Sequence, residues 1–257
     1  MPNVPAKFIS LHGGEEELWQ RSLDSVASNQ DLFDHLDLLE RAMDVLDTLR
    51  RHGADDENTK TIRLLGIRVF NSFATAWKLA GSGYYQASAM ILRDVLETTN
   101  LVNAFHSDST LVERWRNADP KTLINDFGPR KIRKILDDNQ GWGSSRRGEI
   151  YAMFCNLATH PSAEGFAMLR PKGMDAHMGP FFDESALRAV LEETGKLAAQ
   201  CGVVFFQWID SSTDATLPVS RRYMLGAMEY FGKYIGKPYS PEEIAEVSRI
   251  FSLPASD

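Results

Sequence analysis

The stretch GYYQASAMILRDVLETTNLVNAF, Gly83 to Phe105, decides how the rest of the chain is read. At about 3.6 residues per helical turn, Tyr84, Ala87, Ile91, Val95, Val102 and Phe105 form one apolar stripe. Tyr85, Ala89, Leu92 and Leu96 form a second beside it, and Met90 and Leu101 widen the other flank. A helix apolar over most of its circumference has to be wrapped by others, because at a surface half of that area would stay in water. The expected fold is therefore all-α, a mainly antiparallel helical bundle with this long helix buried at its centre. Only Gln86, Arg93, Glu97 and Asn100 make a narrow polar strip along it.

Working outward, Gly81-Ser82-Gly83 suits the short turn of a helical hairpin. The helix before it runs from Thr59 to Ala80 on the stripe Ile62, Leu65, Val69, Phe73 and Trp77. Leu32, Leu36, Leu39, Met43 and Leu46 mark an earlier helix, stopped near His52-Gly53. Asp119-Pro120 and Ser240-Pro241-Glu242-Glu243 read as helix starts, with proline tolerated in the first turn. Gly128-Pro129 breaks a helix, Asp137 to Ser145 reads as a loop, and Ala163 to Phe182 is one irregular excursion. A turn at Pro171-Lys172-Gly173 suggests a short hairpin within it. Asp183 then caps a long helix reaching about Asp210, whose apolar second half also offers a homo-oligomer interface. The expected organisation is an irregular lead-in over 1–14, a bundle over 15–210 with its first helix starting at Glu15, and a C-terminal helical appendage over 211–257.

Hydrophobic residues at 43% and charged ones at 25% describe a folding chain. A net charge of −7 argues against a general phosphate-binding surface, although Arg130, Lys131, Arg133, Lys134, Arg146 and Arg147 lie close in sequence. Cys155 and Cys201 sit in apolar helical patterns at no metal-ligand spacing, which reads as reduced core thiols of a cytoplasmic protein. No apolar run approaches the roughly 20 residues of a membrane span. Neither a phosphate-binding loop nor a dinucleotide fingerprint is present. Asp31-x-x-x-His35 has ligand spacing, but both residues fall on an exposed-looking face and a third ligand is not evident. The expectation is no metal and no cofactor.

Two places carry chemistry. Arg93 and Glu97, four apart on the central helix, can meet: either as an ion pair tying the strip to neighbouring helices, or with Arg93 as an anion contact oriented by Glu97. Asp94 projects into the apolar arc, where a carboxylate needs a partner, and a helix-packing hydrogen bond is the simpler reading. The second place is YAMFCNLATHPS, Tyr151 to Ser162. Asn156 and His160 share one flank of its helix, Tyr151 and Cys155 the other. His160, at the helix end, either caps the last carbonyls or serves as an anion contact or general acid beside Arg93.

Asn156-x-x-x-His160 near a helix end resembles the HEPN superfamily of small helical domains, several of which are metal-independent endoribonucleases. Their motif sets an arginine, often followed by asparagine, four to six residues before a histidine. Here Asn156 and His160 match, but Cys155 stands in the arginine's place and cannot supply its charged fork. Arg93 or Arg147 would have to substitute. The chain also resembles a group of bacterial helical proteins with the pattern A-x-x-x-x-R-x-x-x-E and a later H-P-S. Ala89 (one residue off), Arg93, Glu97 and His160-Pro161-Ser162 match it. Two functions are carried forward. One is a noncatalytic binding or interaction module for a protein partner or small ligand, with Arg93, Glu97, Asp94 and Tyr151 at its site. The other is an HEPN-like ribonuclease using His160, Asn156 and Arg93, the only reading in which RNA is a partner.

Overall fold

A computed structural model of the chain describes residues 4–139, 146–171 and 173–251. In chain order its helices are α1 (Ala6–Ala27), α2 (Gln30–His52), α3 (Glu57–Gly81), α4 (Tyr85–Ser107), α5 (Thr110–Arg116), α6 (Pro120–Phe127), α7 (Pro129–Asn139), α8 (Arg146–Phe154), α9 (Glu184–Phe206), α10 (Leu217–Tyr230) and α11 (Pro241–Ile250). The fold is an all-α bundle, and no strand occurs among the described residues. None of the described helices is long and apolar enough to cross a membrane.

The α3–α4 hairpin is the centre. Asp56 starts α3 by accepting hydrogen bonds from the backbone N–H groups of Asn58 and Thr59, at 3.0 and 2.9 Å, filling donors that a helix start leaves open. At the turn, Gly83 has φ +86°, and a Cβ there would lie 2.5 Å from the Phe181 carbonyl oxygen. Only glycine meets both demands. α4 then packs against α3, α9, α7, α8 and α5. Tyr85, Leu92, Val95, Val102 and Phe105 are sealed in the core, each contributing about 1.5–3 kcal/mol of apolar burial. Met90 departs from this pattern: it is 45% exposed, so that flank stays uncovered.

Polar side chains fix α4 within its surroundings. Ser88 donates to the Ala76 carbonyl at 2.8 Å, and Tyr85 accepts from the Asp183 backbone N–H at 3.0 Å, where α9 begins. Gln86 donates to the carbonyls of Leu157 and Gly165 at 3.3 and 3.1 Å. That amide secures the excursion, which holds a 3-10 turn at Gly165–Leu169 and a single rung from His177 N–H to the Leu169 carbonyl at 2.9 Å. No hairpin of strands forms among the described residues, and Gly165 is held by side chains instead, its carbonyl by Gln86 and its N–H by Ser162. Met174 N–H closes a turn onto the Pro171 carbonyl; Lys172 lies outside the described residues.

Other boundaries move as well. α1 starts at Ala6, so residues 6–14 are helical rather than an irregular lead-in. Pro5 stands at its N-cap with φ −56°, and Gly13-Gly14, at about 1 kcal/mol each, do not stop a helix anchored farther on. Ser22 donates to the Gly81 carbonyl at 2.8 Å, and Trp19 packs against Trp77 with ring centroids 4.9 Å apart and planes tilted by 50°. α7 continues to Asn139, taking residues 137–139 from the expected loop; the remainder, 140–145, lies outside the described residues. The region after residue 210 is more than an appendage. Tyr223 and Tyr230 of α10 belong to the common core, the Tyr223 hydroxyl donates to the Ala199 carbonyl at 2.7 Å, and Gly202 lies directly under its ring. By contrast, α11 has no buried residue. The apolar breadth of α9 is consumed inside the chain by α2, α4 and α10, which removes the reason for reading it as an oligomer interface.

Candidate functional site

The polar strip of α4 ends in a network with α8. Arg93 Nη2 donates to the Tyr151 hydroxyl at 2.6 Å and lies 2.8 Å from Glu97 Oε1. The second contact is an ion pair without hydrogen-bond alignment, so Glu97 Oε1 is buried with no donor; Arg93 Nε is likewise without an acceptor. Burial works against the Arg93 charge, but Glu97, Tyr151 and Cys155 together outweigh it and hold the guanidinium above its ordinary pKa. Burial, reinforced by Glu97, pushes the Tyr151 phenol up, which keeps it protonated. Tyr151 also carries a second guanidinium: Arg133 of α7 lies over its ring, 3.9 Å from Cζ to the centroid. Such a stack holds the planar fork in one orientation.

Arg133 lines a cavity of about 270 Å³ between α4, α3 and the α5–α7 segment, near the lower end of about 300–1,000 Å³ for small-molecule pockets. Its apolar wall is Leu65, Leu101, Trp115, Phe127 and Ile132, and its polar groups include Arg68, Asp94, Glu97 and Asn100. Trp115, Phe127 and Pro129 also border a wider depression flanked by Arg130 and Lys131. The ionic accounting is uneven. Asp94 binds Arg68 at 2.5 Å and accepts from Ser72 at 3.1 Å, a bridge from α4 to α3 in keeping with the helix-packing reading. Glu97 offsets Arg93. Arg133 has no carboxylate partner among the described residues, and its Nη1 is buried without an acceptor.

The remaining candidates lie apart. α8 gives way at Cys155–Thr159 to a π-helical turn, closed by the His160 N–H on the Cys155 carbonyl at 2.9 Å. The wider turn takes Asn156 and His160 out of α-helical register. Both are exposed, and neither lines the cavity, which includes Glu97 and Asp94 but not Arg93. Cys155 is buried and free. The expected shared pocket of Arg93 and His160 is replaced by one in which Arg93 acts on Tyr151 and, through it, on Arg133. Arg133 was visible in the sequence only as one member of a basic run. Its position beside Ile132, on the turn of α7 that faces the core, is the signal that separates it from Arg130 and Lys131.

A second polar cluster joins α2 to a π-helical turn at Phe231–Ile235. His35 is 2% exposed, not on an open face as its spacing from Asp31 suggested. Its Nδ1 lies 2.9 Å from the Tyr230 hydroxyl, Tyr234 donates to Asp31 and Asp34 at 2.9 and 2.8 Å, and Lys233 reaches both carboxylates. Burial pulls the His35 pKa down to about 4 against the opposing pull of Asp31 and Asp34. Among the described residues no group of three or more His, Cys, Asp or Glu is placed to hold a metal. In comparisons with known proteins, no family model, curated protein or solved structure matches this chain.

Proposed function

We propose that this protein is a noncatalytic binding module whose ligand is a small molecule held in the α4 cleft. The observation that carries the reading is the convergence of Glu97, Asp94, Asn100 and Arg133, which has no carboxylate partner among the described residues, on one apolar-walled cavity. A few placed polar groups on an apolar lining are what a ligand pocket needs. The free, buried Cys155 and Cys201 support a cytoplasmic setting.

The alternative is an HEPN-like, metal-independent endoribonuclease with a degenerate motif. It is favoured by the exposure of Asn156 and His160, which a polymer can reach. One pair of assays separates the two. A fragment screen by ligand-observed NMR is expected to give binders that quench Trp115 fluorescence in a variant retaining Trp115 as its sole tryptophan. Incubation with RNA is expected to leave the RNA intact. Cleavage that disappears in His160→Ala, with the fold retained, would overturn the binding-module reading in favour of the ribonuclease.

A further inference from the structure

We propose that the ligand of the α4 cleft is a compact monocarboxylic acid with an apolar body, its carboxylate held by Arg133; the assignment rests on the small-ligand reading above. Three guanidinium groups stand in or behind the cleft. Arg68 is matched by Asp94 and Arg93 by Glu97, at 2.5 and 2.8 Å. Arg133 has no such match, so among the described residues the cleft holds one positive charge without a carboxylate to balance it.

The geometry around Arg133 selects a planar anion. Its guanidinium carbon lies over the Tyr151 ring, 3.9 Å from the centroid, and the hydroxyl of that ring is fixed by Arg93 at 2.6 Å. A guanidinium anchored over a ring keeps its planar fork available, and that fork pairs two nitrogens with the two oxygens of a carboxylate. The charge around it selects one negative charge over two. Asp94 and Glu97 line the same cavity, so a dianionic phosphate would meet two carboxylates for one unmatched cation. The walls select the rest of the molecule: Leu101, Trp115, Phe127 and Ile132 bury an aromatic or branched aliphatic body. The volume of about 270 Å³ keeps that body small.

The test uses the full chain and three probes of one shape: phenylacetate, neutral phenylacetamide and phenyl phosphate, titrated by calorimetry. Phenylacetate is expected to bind at least about tenfold more tightly than either of the others, the margin of a charge-assisted pair over a neutral one. Arg133→Gln is expected to bring phenylacetate down to the amide's affinity while leaving the amide unchanged. Arg133→Lys, which keeps the charge and loses the fork, should fall between. If Arg133→Gln does not fold, the ranking of the three probes on the native protein decides alone. Equal binding of acid and amide, or tighter binding of phenyl phosphate, overturns the carboxylate assignment. So does failure of all three probes while neutral fragments bind, and in that case the binding-module reading stands. Failure of every fragment, whatever its charge, overturns both.

Discussion

At the contact between α2 and the turn after α10, His35 lies 2.9 Å from the Tyr230 hydroxyl, and Tyr234 and Lys233 are shared between Asp31 and Asp34. Where α4 meets α7 and α8, Arg93 Nε, Glu97 Oε1 and Arg133 Nη1 are shielded from water without hydrogen-bond partners among the described residues. The first network is closed within the protein; the second is left open. Buried polar groups without partners cost about 1–3 kcal/mol each, and a fold retains that cost where something else completes the bonding. The difference teaches that a tightly satisfied histidine–tyrosine cluster holds helices together, while an incompletely satisfied arginine cluster leaves polar groups open, as the proposed ligand-binding reading requires.

The comparison can be broken most forcefully at His35. Its folded pKa of about 4 lies below the ordinary 6.5, so the unfolded chain takes up the proton first as pH falls. Stability should therefore drop through the window from pH 6.5 to 4 by about 3 kcal/mol and then level off for this group, since both states are protonated below it. Urea midpoints measured across that window should show a shallower fall in His35→Gln than in the native protein. Identical slopes would mean that His35 is not buried as a neutral ring.

Next in size is Gly195→Ala. A Cβ at this position would collide with the Tyr230 hydroxyl and lie 2.9 Å from His35 Nδ1, so overpacking should cost about 1–3 kcal/mol. Thermal unfolding would register it, and an unchanged midpoint would show that the closed cluster has slack. Arg93→Ala should cost about 1–2 kcal/mol by leaving the half-buried Glu97 uncompensated. Its sharper consequence is on binding: with Tyr151 released, Arg133 loses its platform and ligand affinity falls more than stability does. Loss of stability with affinity preserved would make the α4 strip purely structural. The smallest effect is expected from Arg68→Gln. Arg68 is 59% exposed, and pairs of that kind contribute less than about 1 kcal/mol; chemical denaturation should barely resolve the change.

What could be read from the sequence was what neighbours in the sequence decide. Asp119 and Ser240 cap α6 and α11 as expected, with Ser240 and Glu243 exchanging reciprocal bonds. Gly128 separates α6 from α7, and most of the stripe residues of α4 are buried, with Tyr84, Ala87, Ile91 and Leu101 half-buried and Met90 exposed. What escaped reading was decided by residues far away along the chain. His35 resembles a surface residue until Tyr230, 195 positions later, closes over it. α10 has apolar residues enough, but the partners that bury its tyrosines, Ala199 for Tyr223 and His35 for Tyr230, lie far away along the chain. The start of α1 was misplaced because Gly13-Gly14 lowers helix propensity locally while the anchoring contacts, Ser22 on Gly81 and Trp19 on Trp77, lie beyond any local window. At the site, Arg93, Glu97 and Tyr151 were found by spacing, but the role of Arg133 depends on a stacking contact that no periodicity encodes.

Gly83 also bears on the order of events in time. The α3–α4 hairpin joins segments adjacent in sequence, so its closure is fast and local. The Gly83 carbonyl then accepts the Phe181 N–H at 3.3 Å, and Tyr85, two residues on, accepts the Asp183 N–H that opens α9. The end of the excursion and the first turn of α9 therefore have nothing to land on until that turn exists. A side chain at Gly83 would leave the two-helix hairpin able to assemble but would delay the arrival of α9. In refolding experiments this would separate into a rapid early phase, unchanged, and a slowed later one.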